Sequence, residues 1–210
     1  MLRPNRKNRP SREEKAALNR RAIIDSAAIC IGKYGYNDAS IAKITDGAGL
    51  AHGTFYNYFE DRQDLFEQLL PIKGLEILDY IKKHIGPAKS LIEMERFGLL
   101  AFQSYVQENP WFFRLLHEGR FASPKGHAAH MDNLFRPFVR ALKRWQNKGE
   151  LKGYTEEQLE SLAYLMIGAR DYLFIRSTDK GTVFKPLEEA QLSAYLDLLQ
   201  NGILEKPPES

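Results

Sequence analysis

The sequence predicts an all-α fold, and three observations carry that prediction. Apolar residues recur at helical spacing in segment after segment. Helix-start signals such as Ser11-Arg12-Glu13-Glu14 and Thr155-Glu156-Glu157-Gln158 stand ahead of these segments. No strand-like runs alternate with them, and there is no internal repeat.

The first helix begins at Arg12, behind the capping box, with Leu18, Ile23, Ile24, Ala27, Ala28 and Ile31 on its apolar face and a stop after Tyr34 at Gly35. Asp38 or Ser40 caps the next, in which Ile41 and Ile44 face inward. Asp61 caps a fourth helix that buries Leu65, Phe66 and Leu69; Pro71 and Gly74 predict a kink or a split, and Gly86-Pro87 closes it. A helix over Leu91 to Val106 follows, then one opened by Asn109-Pro110 and running through Leu116. Phe121 to Gly126 reads as a loop. Met131, Leu134, Phe135, Phe138, Leu142 and Trp145 keep helical spacing across Pro137, which predicts another kink. The second capping box opens a helix to about Ile175, Asp179 to Lys185 forms a polar loop, and Pro186 starts a last helix through about Leu199.

At 210 residues, 43% hydrophobic and 27% charged, the composition is that of a globular chain with a sizeable core. No apolar run approaches a membrane span, and no apolar stretch follows the basic N-terminus as in an export signal. The single cysteine, Cys30, sits among apolar residues of the first helix as inert packing, and its solitude fits a cytoplasmic location. The net charge of +3 is unevenly spread: residues 1–62 carry +4 and the remainder −1. Arg3, Arg6, Lys7, Arg9 and Arg12 all precede the first acid, Glu13. Such a run is a solvated tail by default; beside a DNA-binding element it becomes an arm for phosphates or the minor groove.

That element is residues 40–59. Thr54-Phe55-Tyr56-Asn57-Tyr58-Phe59 alone would read as a strand, but it would have no partner strand. Wound as a helix at roughly 100° per residue, Phe55 and Phe59 lie about 40° apart on a buried stripe. Gly53, Thr54 and Asn57 then form a small polar outward face, flanked by Tyr56 and Tyr58. Two short helices joined at Gly47-Ala48-Gly49 make a helix-turn-helix whose second member enters the DNA major groove. Gly53 permits close approach, Thr54 meets a thymine methyl or a base edge, and Asn57 bonds adenine in bidentate fashion. Tyr56, Tyr58 and Arg62 reach phosphates, His52 meets the duplex at the helix start, and Ser40 and Lys43 touch the flanking backbone.

Tyr34-Gly35-Tyr36, Ser40-Ile41 with Ile44, Gly49-Leu50, Gly53-Thr54-Phe55-Tyr56, and Tyr58-Phe59 followed by Leu65-Phe66 together resemble the TetR/AcrR family of bacterial repressors. The resemblance covers about residues 17–77. It implies a basic arm over 1–16, a three-helix DNA-binding domain over 17–77 with its helix-turn-helix at 40–59, and an effector-binding and dimerisation domain over 78–210. It also implies a homodimer on a palindromic operator in double-stranded DNA. Three departures stand out: Ala39 replaces the usual Thr before Ser40, Thr45 replaces a small Ala, and Ala51-His52 replaces Ser-Lys. Losing the Ser removes a helix cap worth about 1 kcal/mol. His52 in place of Lys also removes a long flexible cation from the start of the recognition element.

Residues 78–204 contain no nucleophile-base set, P-loop or dinucleotide fingerprint, so no enzyme and no cofactor is expected. His127, His130, Asp132 and His117-Glu118 could suggest a metal, but solvated imidazoles are the plainer reading and no metal site is assigned. Aromatic residues from Phe97 to Trp145 crowd three successive helices; most are core, and in the family the equivalent helices line a cavity for a small molecule. Tyr105, Met131, Phe135, Met166 and Tyr172 are the candidates to line it against a largely apolar effector. Arg170 and Asp171 either orient a polar group or form an ion pair between subunits. The helix from Thr155 to Ile175 is apolar on more than one face, so with Leu192, Tyr195 and Leu199 it implies a four-helix dimer interface. The reading is a ligand-responsive transcriptional regulator, most simply a repressor. Its alternatives are an activator or an effector-independent DNA binder on the same fold.

Overall fold

The computed structural model describes residues 11–177 and 184–202. Arg3, Arg6, Lys7 and Arg9 of the basic arm, and most of the polar loop expected at 179–185, lie outside the described residues. Eight α-helices are described: α1 (Arg12–Asp38), α2 (Ile41–Gly47), α3 (Arg62–Ile85), α4 (Leu91–Glu108), α5 (Trp111–Ala122), α6 (Pro124–Asn147), α7 (Glu156–Ser177) and α8 (Glu189–Gly202). A single 3-10 helix, His52–Asn57, stands between α2 and α3.

The capping box closes the start of α1, with Glu14 N–H donating to Ser11 Oγ at 3.1 Å and Ser11 N–H to Glu14 Oε2 at 2.7 Å. At the other end Gly35 breaks the helix with φ +81° and ψ 168°, a conformation that a side chain would resist. Ser40 caps α2, accepting from Lys43 N–H. Ile23, Ile24, Ala27 and Ile31 of α1 meet Ile44, Phe55, Phe59, Leu65, Phe66 and Leu69 in one apolar core. Below it the buried Lys73 of α3 pairs with Asp25 of α1 and with Glu76, and Arg21 joins both acids. A charge this deep is tolerated because it is paired.

α3 is one helix, so Pro71 and Gly74 do not split it. They build a seat for α6 instead. Pro71 has no N–H to give the Glu67 carbonyl one turn back, and Gly126 of α6 packs onto that carbonyl so closely that a Cβ there would collide with it. The Gly126 N–H donates to Glu67 Oε2 at 2.5 Å. One turn along α6, the buried His130 fills the space left by Gly74.

Three expectations need correction. Asn109 does not cap α5: its side-chain amide donates to the Tyr105 carbonyl at 3.0 Å and closes α4. The expected loop over 121–126 is only Ser123, because α5 continues to Ala122 and α6 starts at Pro124. The Ser123 hydroxyl is fully buried and bonds the Gly119 carbonyl at 3.2 Å, which holds the tight joint. Pro137 lies inside the single helix α6. Finally, α8 starts at Glu189 rather than Pro186, with Glu188 N–H capped by Gln191 at 2.9 Å.

Candidate nucleic-acid interface

The exposed segment His52–Asn57 is positioned from below. Phe55 and Phe59 are buried, at 0% and 2% exposure, with ring centroids 5.5 Å apart. Gly49 at φ +66° makes the turn out of α2, where Leu50 N–H donates to the Thr45 carbonyl at 2.9 Å. Thr45, the residue standing where the family has Ala, is buried with its hydroxyl bonded to the Ile41 carbonyl at 2.9 Å. α2 lies close on α1: Ser26 Oγ donates to the Ile44 carbonyl at 2.7 Å, and a Cβ on Gly47 would strike that hydroxyl.

The winding differs from the α-helix expected. Six residues of 3-10 helix have no side-chain cap at Ala51, so a full α-helix is not nucleated there. The sorting of faces survives the change. His52, Gly53, Tyr56 and Asn57 are exposed and Thr54 is half-buried, while Phe55 and Phe59 are buried. His52 and Tyr56 meet edge-on at 5.9 Å.

The other candidates have partners of their own. The Tyr58 hydroxyl accepts from Asn19 Nδ2 of α1 at 3.3 Å. Arg62 Nη1 donates to the Asn37 carbonyl at 3.0 Å, and its guanidinium lies over Phe66. Lys43 Nζ donates to the Asp38 carbonyl at 2.9 Å while lying 4.4 Å from the Tyr34 ring centroid. Ser40 Oγ is engaged as the α2 cap. Two cations read from sequence as phosphate contacts thus converge on the turn between α1 and α2. The contact of Lys43 with Tyr34 was not legible in the sequence, where Tyr34 figures only in the Tyr34-Gly35-Tyr36 motif.

The candidate effector residues are not gathered in one place. Tyr105 is buried between Tyr80 and Phe112, and burial pushes its hydroxyl up to about 12. Phe135 stacks on Tyr164 at 3.9 Å, Met131 is half-buried, and the buried Met166 offers its carbonyl to Arg170 Nε at 3.2 Å. Tyr172 is 74% exposed and lines an open apolar groove of about 620 Å³ between α7 and α8. Arg170 approaches the buried Glu95 at 3.7 Å, and Glu95 accepts from Tyr195 Oη at 3.0 Å. Asp171 turns to His117 at 3.4 Å. Among the described residues no three His, Cys, Asp or Glu side chains are grouped to hold a metal ion. Burial pushes the Cys30 thiol up, so it is a poor nucleophile.

A short helix, a tight glycine turn and an exposed second helix over a shared core define a helix-turn-helix protein, here carried on a larger helical body. Residues 23–69 match the family described as bacterial regulatory proteins, tetR family. The fatty acid metabolism regulator protein of Bacillus subtilis (strain 168) is 33% identical over 85 residues, which is 38% of this chain and 44% of that protein. An HTH-type transcriptional repressor of Mycobacterium tuberculosis is 33% identical over 54 residues, 26% of this chain and 29% of its own length. The chain thus spans less than half the length of these curated relatives. Two solved structures share the fold more fully. A TetR-family regulator from Rhodococcus sp. has a TM-score of 0.72 at 20% identity, covering 88% of this chain and 98% of its own. The fatty acid degradation regulator FadR from Bacillus halodurans has a TM-score of 0.69 at 19% identity, covering 88% and 95%. Residues 23–69 thus carry the DNA-binding domain of the tetR family of bacterial regulatory proteins, and the fold of the larger helical body is shared with solved regulators of that family.

Proposed function

We propose that this protein binds a palindromic operator in double-stranded DNA as a homodimer, represses transcription there, and is released by a small, largely apolar effector. The observation that carries the DNA reading is the face made by Gly53, Thr54 and Asn57: small, polar, turned out, and fixed from below by Phe55 and Phe59. In this reading residues 17–77 are the DNA-binding domain and 78–210 bind the effector and the second subunit. Asn57 reads a base edge, while His52, Tyr56, Tyr58, Ser40, Lys43 and Arg62 meet the backbone, Lys43 and Arg62 by leaving the carbonyls they now hold. Fragments selected from the source genome give the duplex for the test. Asn57→Ala should relax base preference, a discrimination worth about 1–3 kcal/mol per bidentate contact. Arg62→Ala should weaken all sequences alike. Unchanged binding in both variants sinks the assignment.

The dimer is supported by an apolar face that this chain leaves uncovered. Leu165, Tyr172 and Ile175 of α7 and Leu198 of α8 are 68%, 74%, 41% and 65% exposed, whereas Leu192, Tyr195 and Leu199, expected at that interface, are buried within the chain. The apolar effector is supported by the aromatic interior, where Phe102, Phe113, Phe174 and Phe184 pack together, and by two similar proteins whose names refer to fatty acids. A melting-temperature shift with long-chain acyl compounds, together with release of bound DNA, tests it; neither effect across a lipophilic panel would favour the effector-independent alternative.

A further inference from the structure

Three cations crowd the corner where α1 turns into α2, and one aromatic ring organises two of them. Tyr34, 39% exposed at the end of α1, has Lys43 Nζ 4.4 Å from its ring centroid and Lys33 Nζ 5.0 Å from it. Lys43 is further fixed by the Asp38 carbonyl, and Arg62 reaches the neighbouring Asn37 carbonyl from α3. The electron-rich ring and the Asp38 carbonyl dipole hold the two ammonium groups at this corner, where a bound anion would meet both charges. The acids near this corner include Asp38, exposed, Asp61, whose carboxylate is occupied as the α3 cap, and Glu118, whose carboxylate is held by Arg114 and the Tyr36 N–H.

We propose that Tyr34 is a positioning residue for DNA binding, holding Lys33 and Lys43 as a paired seat for one backbone phosphate flanking the segment that the 3-10 helix reads. The proposal rests on the reading of His52–Asn57 as the base-reading element. It adds the end of α1 to the interface, through Lys33. The geometry suits a phosphodiester: two cations at one site neutralise a charge repeated along every strand, and their exposure leaves the approach open. Contacts of this kind fix position without reading sequence, so they register in salt dependence and not in base preference.

The test measures affinity for a labelled duplex recovered by selection from random-sequence DNA, at salt concentrations from about 50 to 200 mM. Each phosphate contact contributes about 0.9 to the slope of log affinity against log salt. Lys33→Gln should therefore flatten the slope by roughly that amount and weaken selected and scrambled duplexes by the same factor. Tyr34→Leu should do likewise, and Tyr34→Phe, which keeps the ring over which Lys43 lies but loses the hydroxyl that Lys33 bonds, should recover part of the slope. Lys33 is fully exposed, so its variant reports on DNA even where Tyr34→Leu disturbs folding. Unchanged slopes in Lys33→Gln and Tyr34→Leu, with Asn57→Ala still relaxing base preference, would overturn the clamp and leave the DNA reading intact. A wild-type protein that binds no duplex overturns both.

Discussion

The Glu118 carboxylate accepts the backbone N–H of Tyr36 at 2.9 Å, across the break that Gly35 puts in α1. The break leaves that N–H without a helical acceptor, and a residue 82 positions away supplies one. Arg114 holds the same carboxylate through Nε at 2.5 Å, and Tyr36 returns a hydroxyl to the Leu115 carbonyl. Gly32, one turn earlier, lies against the Trp111 backbone with no room for a Cβ. α5 therefore grips α1 just before it enters the helix-turn-helix, while the other face of α5 carries Phe113 and His117 into the aromatic interior. Glu118→Ala should cost about 1.5–3 kcal/mol in a denaturant titration, the range for a hydrogen bond to a charged group. It should also speed amide exchange at residues 36–38 and weaken DNA binding. Unaltered exchange there would mean that Glu118 does not hold the joint.

His130 predicts how stability follows pH. Burial first, and the nearby His127 second, push its pKa from 6.5 down to about 4. At pH 7 the ring is neutral whether the chain is folded or not. As pH falls from about 6.5 to 4, the unfolded chain takes up a proton that the folded chain refuses, so stability drops through that window. The loss saturates near about 3 kcal/mol below pH 4, at 1.36 kcal/mol per unit. Burial lowers His117 and His127 as well, which adds to the slope near its upper end. His130→Gln should flatten the stability–pH profile between about pH 4 and 6.5. An equally steep profile in the variant assigns the acid sensitivity elsewhere.

The seat between α3 and α6 predicts an order among glycine substitutions. At Gly126 a methyl would meet the Glu67 backbone, which cannot yield, whereas at Gly74 it would meet the His130 ring. Both variants overpack a tight crossing, at a typical cost of about 1–3 kcal/mol. Gly126→Ala should sit at or above the upper end and lower the melting temperature more than Gly74→Ala. Gly53→Ala, where nothing lies within 4 Å of the added carbon, should melt with the parent protein.

Much of this was legible in the sequence where one side chain decides the outcome. Phe55 and Phe59 had to be buried together, and the capping boxes at Ser11 and Thr155 specify their own helix starts. What was misread depended on distant residues. Ser123 and Gly126 look like loop formers, yet the Ser123 hydroxyl is buried against that of Tyr36 at 3.4 Å and Gly126 is small because Glu67 leaves no room. Pro71 looks like a helix break, yet α3 runs through it and the carbonyl it frees is covered by another helix. Asn109 looks like a cap for the helix ahead and serves the one behind. Lys43 and Arg62 were recognisable as cations at the interface, but their present partners are backbone carbonyls that carry no sequence signature.

The exposed face of α7 and α8 yields the prediction with the widest consequence. Leu165, Gly168, Tyr172 and Ile175 recur at three- and four-residue spacing, so they form one stripe along α7. Leu198 of α8 borders the same groove as Tyr172. Apolar stripes of this kind mark interaction surfaces, and two copies packed on them would bury Leu165 and Tyr172 at a symmetric interface. Leu165→Glu puts a charge where the partner's apolar stripe would lie, at no cost to the folded monomer, because the site is solvated within one chain. Light scattering should show a dimer for the parent protein at micromolar concentration and a monomer for the variant, with an unchanged helical spectrum. Operator affinity should collapse alongside, since a palindrome needs two reading helices held about one turn, 34–36 Å, apart. A variant that is monomeric yet binds the operator undiminished would break the link between pairing and recognition, and a parent protein that scatters as a monomer would remove the dimer altogether.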